Sequence, residues 1–374
     1  MVKQYIYLIN GINIYRSRET YFFFCAVNYV ISVLFNIIKD DIISFEGEYV
    51  KKDKNPKIQI LRAIAIIAVV IIHTCPIGEI QVYIRPFVNF SVAMFLFLSG
   101  YLTDVSKMNV KEFYKKRIIR VLIPYTIWSI LYTTIGFTSG GINLKKYVFN
   151  YITAGGAATM YYIFVYIQLV LLTPLLGKLL KKKYWYLGFV ISPIALLINY
   201  YWLLSKTTPN TYISIVWGVC CLVWITSYYL GLYLKNINNK EYNIKKLVLV
   251  YILAIALQIA EGYVWYSMGE VNCGTQAKIS CLLTSSIFIL LAYQYIKSSR
   301  FKGNNRLMVL IGNYSFGIYI SHLMILTILE KLIPFWKSIP FGINTVIVLV
   351  ITLLFVIVGK KILGDKISRY IGLC

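Results

Sequence analysis

Arg62 and His73 interrupt the apolar stretch 58–74, which reads IQILRAIAIIAVVIIHT. In an α-helix of 3.6 residues per turn, eleven residues bring His73 to within about 20° of Arg62, about 16 Å further along the axis. The two side chains therefore share one helix face. A cation and an imidazole inside a membrane-length helix are costly, which makes them candidates for a functional site. The alternative interpretation is that Arg62 extends to the lipid headgroups and His73 packs in the core.

A basic segment, KEFYKKRIIR at 111–120, contains a second pair of candidate residues, Arg117 and Arg120. They are three positions apart and share a helix face. Two adjacent guanidinium groups suit bidentate binding of phosphate, which a nucleotide-bearing donor would supply. The alternative is that these charges only set membrane topology and contact anionic lipids.

The chain has two histidines, and the second one, His322, is predicted at the same membrane depth as His73. Counted from the starts of their predicted helices, His73, His322 and Glu261 each lie about 21–22 Å along the axis. Ser315, Tyr319 and His322 recur at i, i+4 and i+7 on one face. These residues together suggest a polar chamber. The alternatives are that Glu261 is hydrated near the outer interface and that the shared face is a hydrogen-bonded packing seam.

The composition indicates which elements must position these residues. The 374 residues are 59% hydrophobic and the mean hydropathy is +0.69, too apolar for a water-soluble domain. Runs of about 20 apolar residues recur, each long enough to cross a bilayer. The sequence therefore predicts an all-α polytopic membrane protein with ten spans: 58–76, 84–103, 118–138, 160–180, 185–204, 212–234, 247–268, 277–296, 307–330 and 342–363.

The net charge of +24 is distributed as membrane topology requires. If the first of the ten spans starts on the cytoplasmic side, the cytoplasmic segments hold 27 Lys and Arg and the outward loops hold seven. This asymmetry predicts a multi-pass protein of the cytoplasmic membrane whose core begins and ends in the cytoplasm. It argues against nucleic acid as the partner of the basic residues, because the lysines lie in short loops between apolar spans.

Residues 1–56 are predicted to form an extension ahead of a membrane domain at 57–370. The extension includes an apolar stretch, 21–38, that is an extra span, an interfacial helix or an element outside the core. The seven cysteines are odd in number and lack CxxC spacing, so neither a disulfide framework nor a metal site is expected. Phosphate-binding loops, GxSxG and HExxH are absent from the sequence.

Four motifs in order give the chain a resemblance to a known family. They are RAIAIIAVVIIH in the first core span, Phe95 followed by LSG, RIIR at the third span and YSFGIYISH late in the chain. With these motifs, residues 57–370 resemble acyltransferase family 3, bacterial multi-span enzymes that acylate cell-surface sugars. The chain departs from the family pattern at Leu96, where a second phenylalanine is usual.

The resemblance implies that Arg62 and His73 are catalytic and that Arg117 and Arg120 help to hold the acyl donor. On that reading the protein is a membrane O-acyltransferase without a bound cofactor. Cytoplasmic acyl-CoA, such as acetyl-CoA, is the expected donor substrate, and a lipid-linked or exported glycan is the expected acceptor. His73 would act as general base or pass the acyl group on, since an imidazole with an unperturbed pKa of about 6.5 suits that task.

One alternative function is transport; another is that of a membrane-anchored partner without activity, for which His73 would not matter. In a transporter or flippase for a lipid-linked sugar or a small anion, Arg62, His73 and Glu261 would line a pathway instead of catalysing a reaction. Inverted repeats and paired broken helices are typical of such proteins, and the sequence shows neither.

Overall fold

The computed structural model describes residues 55–135, 144–205, 210–236, 241–299 and 305–373. Ten helical segments in this part of the chain are long and apolar enough to cross a membrane. The prediction of an all-α polytopic membrane protein is confirmed. The apolar stretch 21–38, with nearly all of the predicted extension, lies outside the described residues.

The helices follow one another without an intervening strand in the described residues. Their bounds are α1 Pro56–Thr74, α2 Ile80–Ile84, α3 Phe90–Tyr101, α4 Val110–Ile135, α5 Leu144–Thr153, α6 Tyr161–Leu180, α7 Leu187–Ser205, α8 Thr211–Gly218, α9 Ile225–Asn236, α10 Ile244–Ser267, α11 Ile279–Lys297, α12 Arg306–Asn313, α13 Ser315–Leu332 and α14 Phe341–Ile371. Short 3₁₀ turns at Arg85–Phe87 and Cys221–Trp224 join α2 to α3 and α8 to α9, and a third lies at Trp336–Ser338.

Helix α1, which carries Arg62 and His73, packs against α3, α12, α13 and α14. Its first turn is capped by Asn55, whose side chain accepts a hydrogen bond from the Lys57 amide at 3.0 Å. The Lys57 ammonium group also donates to the Ile296 carbonyl at 3.2 Å, which ties the start of α1 to the end of α11. Because α1 is held by neighbours on several sides, the orientation of its functional face is fixed.

Several predicted spans differ from the observed helices; 212–234, for example, is divided into α8, a 3₁₀ turn and α9. Helix α4 begins at Val110 instead of 118, so the basic segment is itself helical. The predicted span 307–330 is two helices, α12 and α13, which meet at Tyr314. Gly312 lies against the Gln59 carbonyl of α1, in a space that a Cβ atom would fill. This close approach to α1 requires glycine at the end of α12 and accompanies the break.

Ser99 and Gly100 allow a close helix contact, as expected of small residues in a membrane. A Cβ at Gly100 would meet the Tyr228 carbonyl of α9, and a Cβ at Gly231 would meet the Phe97 carbonyl of α3. The two glycines thus let the backbones of α3 and α9 approach each other. This contact positions Ser99 beside α4, where it takes part in the candidate site.

Candidate active site

Three arginines gather around the first half of α1. Arg62 lies close enough to Arg117 and Arg120 of α4 to interact electrostatically with both. Arg62 also donates to the Gln59 side chain at 3.4 Å. Within the described residues, none of the three guanidinium groups pairs with a carboxylate. The cluster therefore offers positive charge that an anionic ligand can neutralise.

Arg117 is held in place by the end of α3. Its guanidinium group donates to the Ser99 hydroxyl at 3.3 Å, the Thr103 hydroxyl at 3.4 Å and the Leu102 carbonyl at 3.4 Å. Arg120, one turn further along α4, is exposed. Ser99 of the LSG motif thus helps to orient one of the two arginines of RIIR.

The second half of α1 brings together the two histidines. The ring centroids of His73 and His322 are 5.3 Å apart. Nδ1 of His322 lies 3.0 Å from the Ile318 carbonyl and 2.8 Å from the Tyr319 carbonyl. Since a carbonyl only accepts, Nδ1 carries the proton and Nε2 carries the lone pair. Nε2 is buried without a hydrogen-bond partner in the described part of the protein, which leaves an unused acceptor beside His73.

Ser315, Tyr319 and His322 share the predicted face of α13 but have different environments. Ser315 is buried at the helix start and does not line the cavity described below. The Tyr319 hydroxyl donates to the Thr159 carbonyl, and its ring lines the cavity. His322 is fully buried against His73. Of these three residues, Tyr319 and His322 belong to the site.

Tyr162 of α6 links the arginine cluster to the histidines. It lies within electrostatic reach of Arg62, and its ring centroid is 5.4 Å from that of Tyr319. The Tyr319 ring is in turn 6.3 Å from the ring of His322. Sequence reasoning missed Tyr162, because one tyrosine in a chain that contains 33 gives no distinguishing signal. An aromatic path therefore runs from the cationic end of the site to the imidazole end.

A cavity of about 310 Å³ opens beside His73. It lies between α1, the loop that joins α10 to α11, and the α8–α9 region. Its wall includes His73, Arg85, Tyr161, Trp217, Gln276 and Tyr319. The cavity gives His73 access to a ligand, whereas His322 stands behind it in the protein interior.

Arg85 is a further site residue that sequence reasoning missed. The charge count from the sequence includes Arg85 among the seven cations of the outward loops, but Arg85 lies beside His73 and lines the cavity. Its side chain donates to the Ile72 carbonyl at 2.9 Å and to the Gly274 carbonyl at 3.1 Å. The available signal was its position at the very start of a predicted span, where a buried cation is a functional candidate.

Glu261 does not join the histidines. Its carboxylate accepts hydrogen bonds from the Ser280 amide at 3.2 Å and from the Tyr200 hydroxyl. An acidic group at this position caps the first turn of α11 and interacts favourably with the helix dipole. Glu261 therefore holds the loop that borders the cavity and is not part of its wall.

Comparison with known proteins gives one informative match. A family model described as an acyltransferase domain matches residues 55–360, a range that contains all four sequence motifs and the cavity. Comparisons with curated proteins and with solved structures give no match. The match covers most of the chain, and the arginine cluster and histidine pair lie within it. The chain belongs to acyltransferase family 3, and it is a multi-pass membrane acyltransferase.

Proposed function

We propose that the protein transfers an acyl group, such as acetyl, from cytoplasmic acyl-CoA to a hydroxyl of a cell-envelope or lipid-linked glycan. One observation carries the proposal: the functional face of α1 has at one end an arginine cluster that pairs with no carboxylate of the described residues, and at the other end a histidine pair. The cluster suits the phosphates of a CoA donor. The histidine end, which opens on the cavity, suits an acceptor hydroxyl.

In this mechanism His73 is the general base. Its unprotonated ring nitrogen takes the proton of the acceptor hydroxyl as the oxygen attacks the thioester carbonyl. The new C–O bond forms and the C–S bond breaks, and the CoA thiolate leaves and takes up a proton. Arg62 stabilises the negative charge of the bound donor, while Arg117 and Arg120 bind its phosphates.

His322 is the positioning residue for this base. Its Nε2 lone pair can accept a hydrogen bond from the N–H of His73, and this would leave the other nitrogen of His73 to act on the hydroxyl. A partner of this kind fixes the tautomer and orientation of a catalytic imidazole. Two observations support the assignment. Nε2 of His322 is buried without a hydrogen-bond partner among the described residues, and the ring centroids of His73 and His322 are 5.3 Å apart.

The proposal is tested by analysing ester-linked acyl groups in envelope glycans from cells with and without the protein. The purified protein in lipid nanodiscs should also consume labelled acetyl-CoA and label a glycan fraction of the same envelope. An unchanged ester content, together with no consumption of acetyl-CoA, would contradict it. Accumulation of a lipid-linked sugar on one side of the membrane without ester formation would instead favour transport.

Replacing Arg117 or Arg120 with alanine is expected to weaken donor binding. The KM for acyl-CoA should rise about tenfold or more, because a hydrogen bond between charged groups contributes about 1.5–3 kcal/mol. The KM for the acceptor should change much less. Lys116→Ala, which removes an exposed charge from the same helix, is the control. If the KM for acyl-CoA is unchanged in both arginine variants, as in the Lys116→Ala control, the arginines of RIIR only set the membrane topology.

The proposed orientation predicts which loops face the cytoplasm. In a cysteine-free background, a cysteine at exposed Lys181 should resist an impermeant thiol reagent in intact cells, and one at exposed Lys337 should react. Both should react after the cells are permeabilised. The opposite pattern in intact cells would place the arginine cluster outside, where acyl-CoA is absent, and would rule out the acyl-CoA mechanism.

A further inference from the structure

The cavity beside His73 has two chemically different walls. One wall is aromatic and includes Trp217 and Trp224. The other is polar and includes Arg85, Thr275 and Gln276. An amphipathic ligand with one apolar face and several hydroxyl groups fits such a cavity better than a purely apolar chain does.

The aromatic wall is rigid. The Trp217 indole N–H donates to the Asn199 side-chain oxygen at 2.8 Å, and Asn199 in turn donates to the Ala277 carbonyl at 3.4 Å. The Trp217 ring also packs edge-on against Trp202 with centroids 5.6 Å apart. Because its orientation is fixed before a ligand binds, the ring can act as a stacking platform at low entropic cost.

The polar wall has hydrogen-bonding capacity that is not used within the described residues. Gln276 donates to the Asn89 carbonyl at 2.8 Å and to the Ser91 hydroxyl at 3.2 Å, and its side-chain oxygen remains as an acceptor. Arg85 has five N–H donors, and its two hydrogen bonds to carbonyls leave three for a ligand. Donors and an acceptor thus line the same cavity as the two tryptophan rings.

We infer that this cavity is the acceptor subsite and holds one pyranose ring. The C–H face of the sugar stacks on Trp217, and its hydroxyls bond to Gln276 and Arg85. One further hydroxyl points to His73, which takes its proton. The volume of about 310 Å³ is at the lower end of small-molecule sites and suits one ring, not an oligosaccharide. The inference rests on the proposed function and specifies its acceptor.

The test measures acetyl transfer from labelled acetyl-CoA by the full-length protein in nanodiscs. Methyl β-glucopyranoside and methyl β-galactopyranoside serve as cyclic acceptors, and sorbitol serves as a linear polyol. At least one pyranoside should be acetylated about tenfold more efficiently than sorbitol. Equal or greater transfer to sorbitol, or no transfer to either pyranoside, would overturn the inference.

Variants then locate the subsite. Trp217→Ala should raise the pyranoside KM about tenfold more than it raises the acetyl-CoA KM, and Trp217→Phe should restore part of the loss. Gln276→Ala tests the polar wall if Trp217→Ala does not fold. Trp185→Ala, which removes an indole that stacks on Tyr233 away from the cavity, should change neither KM.

Two kinds of failure can be told apart. If acetyl-CoA is turned over and an envelope glycan fraction is acetylated, but neither Trp217→Ala nor Gln276→Ala alters the acceptor KM, only the subsite is wrong. If acetyl-CoA is not consumed with any acceptor, the proposed function fails as well.

Discussion

His73→Ala is expected to abolish acyl transfer while the protein still inserts into the membrane. A positioned general base contributes about 10²–10⁴-fold to a rate, so kcat should fall by at least that range. Binding of acyl-CoA should persist, because the arginine cluster lies at the other end of α1. Single-turnover transfer and acyl-CoA binding, measured on the same nanodisc preparation, separate the two effects.

Thr74→Ala is a matched control for this variant. Thr74 follows His73 on α1, and its hydroxyl bonds to Val70 and Thr345, away from the histidine pair. Its loss should cost stability comparable to one hydrogen bond, about 1 kcal/mol, and leave kcat within a few-fold of the native value. A stable His73→Ala protein with near-native product acylation would exclude His73 as the base.

The helices were predictable because their signals lie along the chain. Apolar length gives the spans, and the repeating excess of Lys and Arg in alternate loops gives an expected orientation. Depth along a helix also follows from residue counting, and this placed His73 and His322 at one level. The structure brings these two rings into contact.

The rotation of each helix about its own axis, which decides where its side chains face, was not predictable from counting residues. Glu261 has the predicted depth of the histidines, yet its carboxylate turns to the start of α11. Arg85 was counted as a loop charge, yet its guanidinium group reaches the Ile72 carbonyl. The packing of neighbouring helices decides which side a polar residue faces. This packing cannot be deduced from the sequence of a single apolar segment.

The aromatic wall illustrates a second limit of predicting structure from hydropathy. Residues 212–234 read as one continuous apolar span, but the structure divides this segment into α8, a 3₁₀ turn and α9. The division places Trp217 at the cavity, where the Asn199 side chain accepts its indole N–H. A break of this kind is stabilised by tertiary hydrogen bonds, which have no signature in a hydropathy profile.

His322→Leu is expected to lower kcat about 10–100-fold, by analogy with the loss seen when the hydrogen-bond partner of a metal-ligating histidine is removed. The KM values for donor and acceptor should change little, because His322 lies behind His73 and outside the cavity wall. Stability should fall by no more than about 1 kcal/mol, because leucine fills the buried site but loses the Nδ1–H hydrogen bond to the carbonyls of its own helix. His322→Gln keeps an acceptor near the position of Nε2 and should recover part of kcat.

Ser321→Ala controls for disturbance of α13. Ser321 is as buried as its neighbour His322, and among the described residues its hydroxyl bonds only to the Gly317 carbonyl of its own helix. This variant should retain kcat. If His322→Leu and His322→Gln lose activity equally, and the loss of activity matches the loss of folded protein, His322 is a packing residue. A selective recovery of kcat in His322→Gln, with the KM values unchanged, is the result that only a hydrogen-bond acceptor for His73 explains.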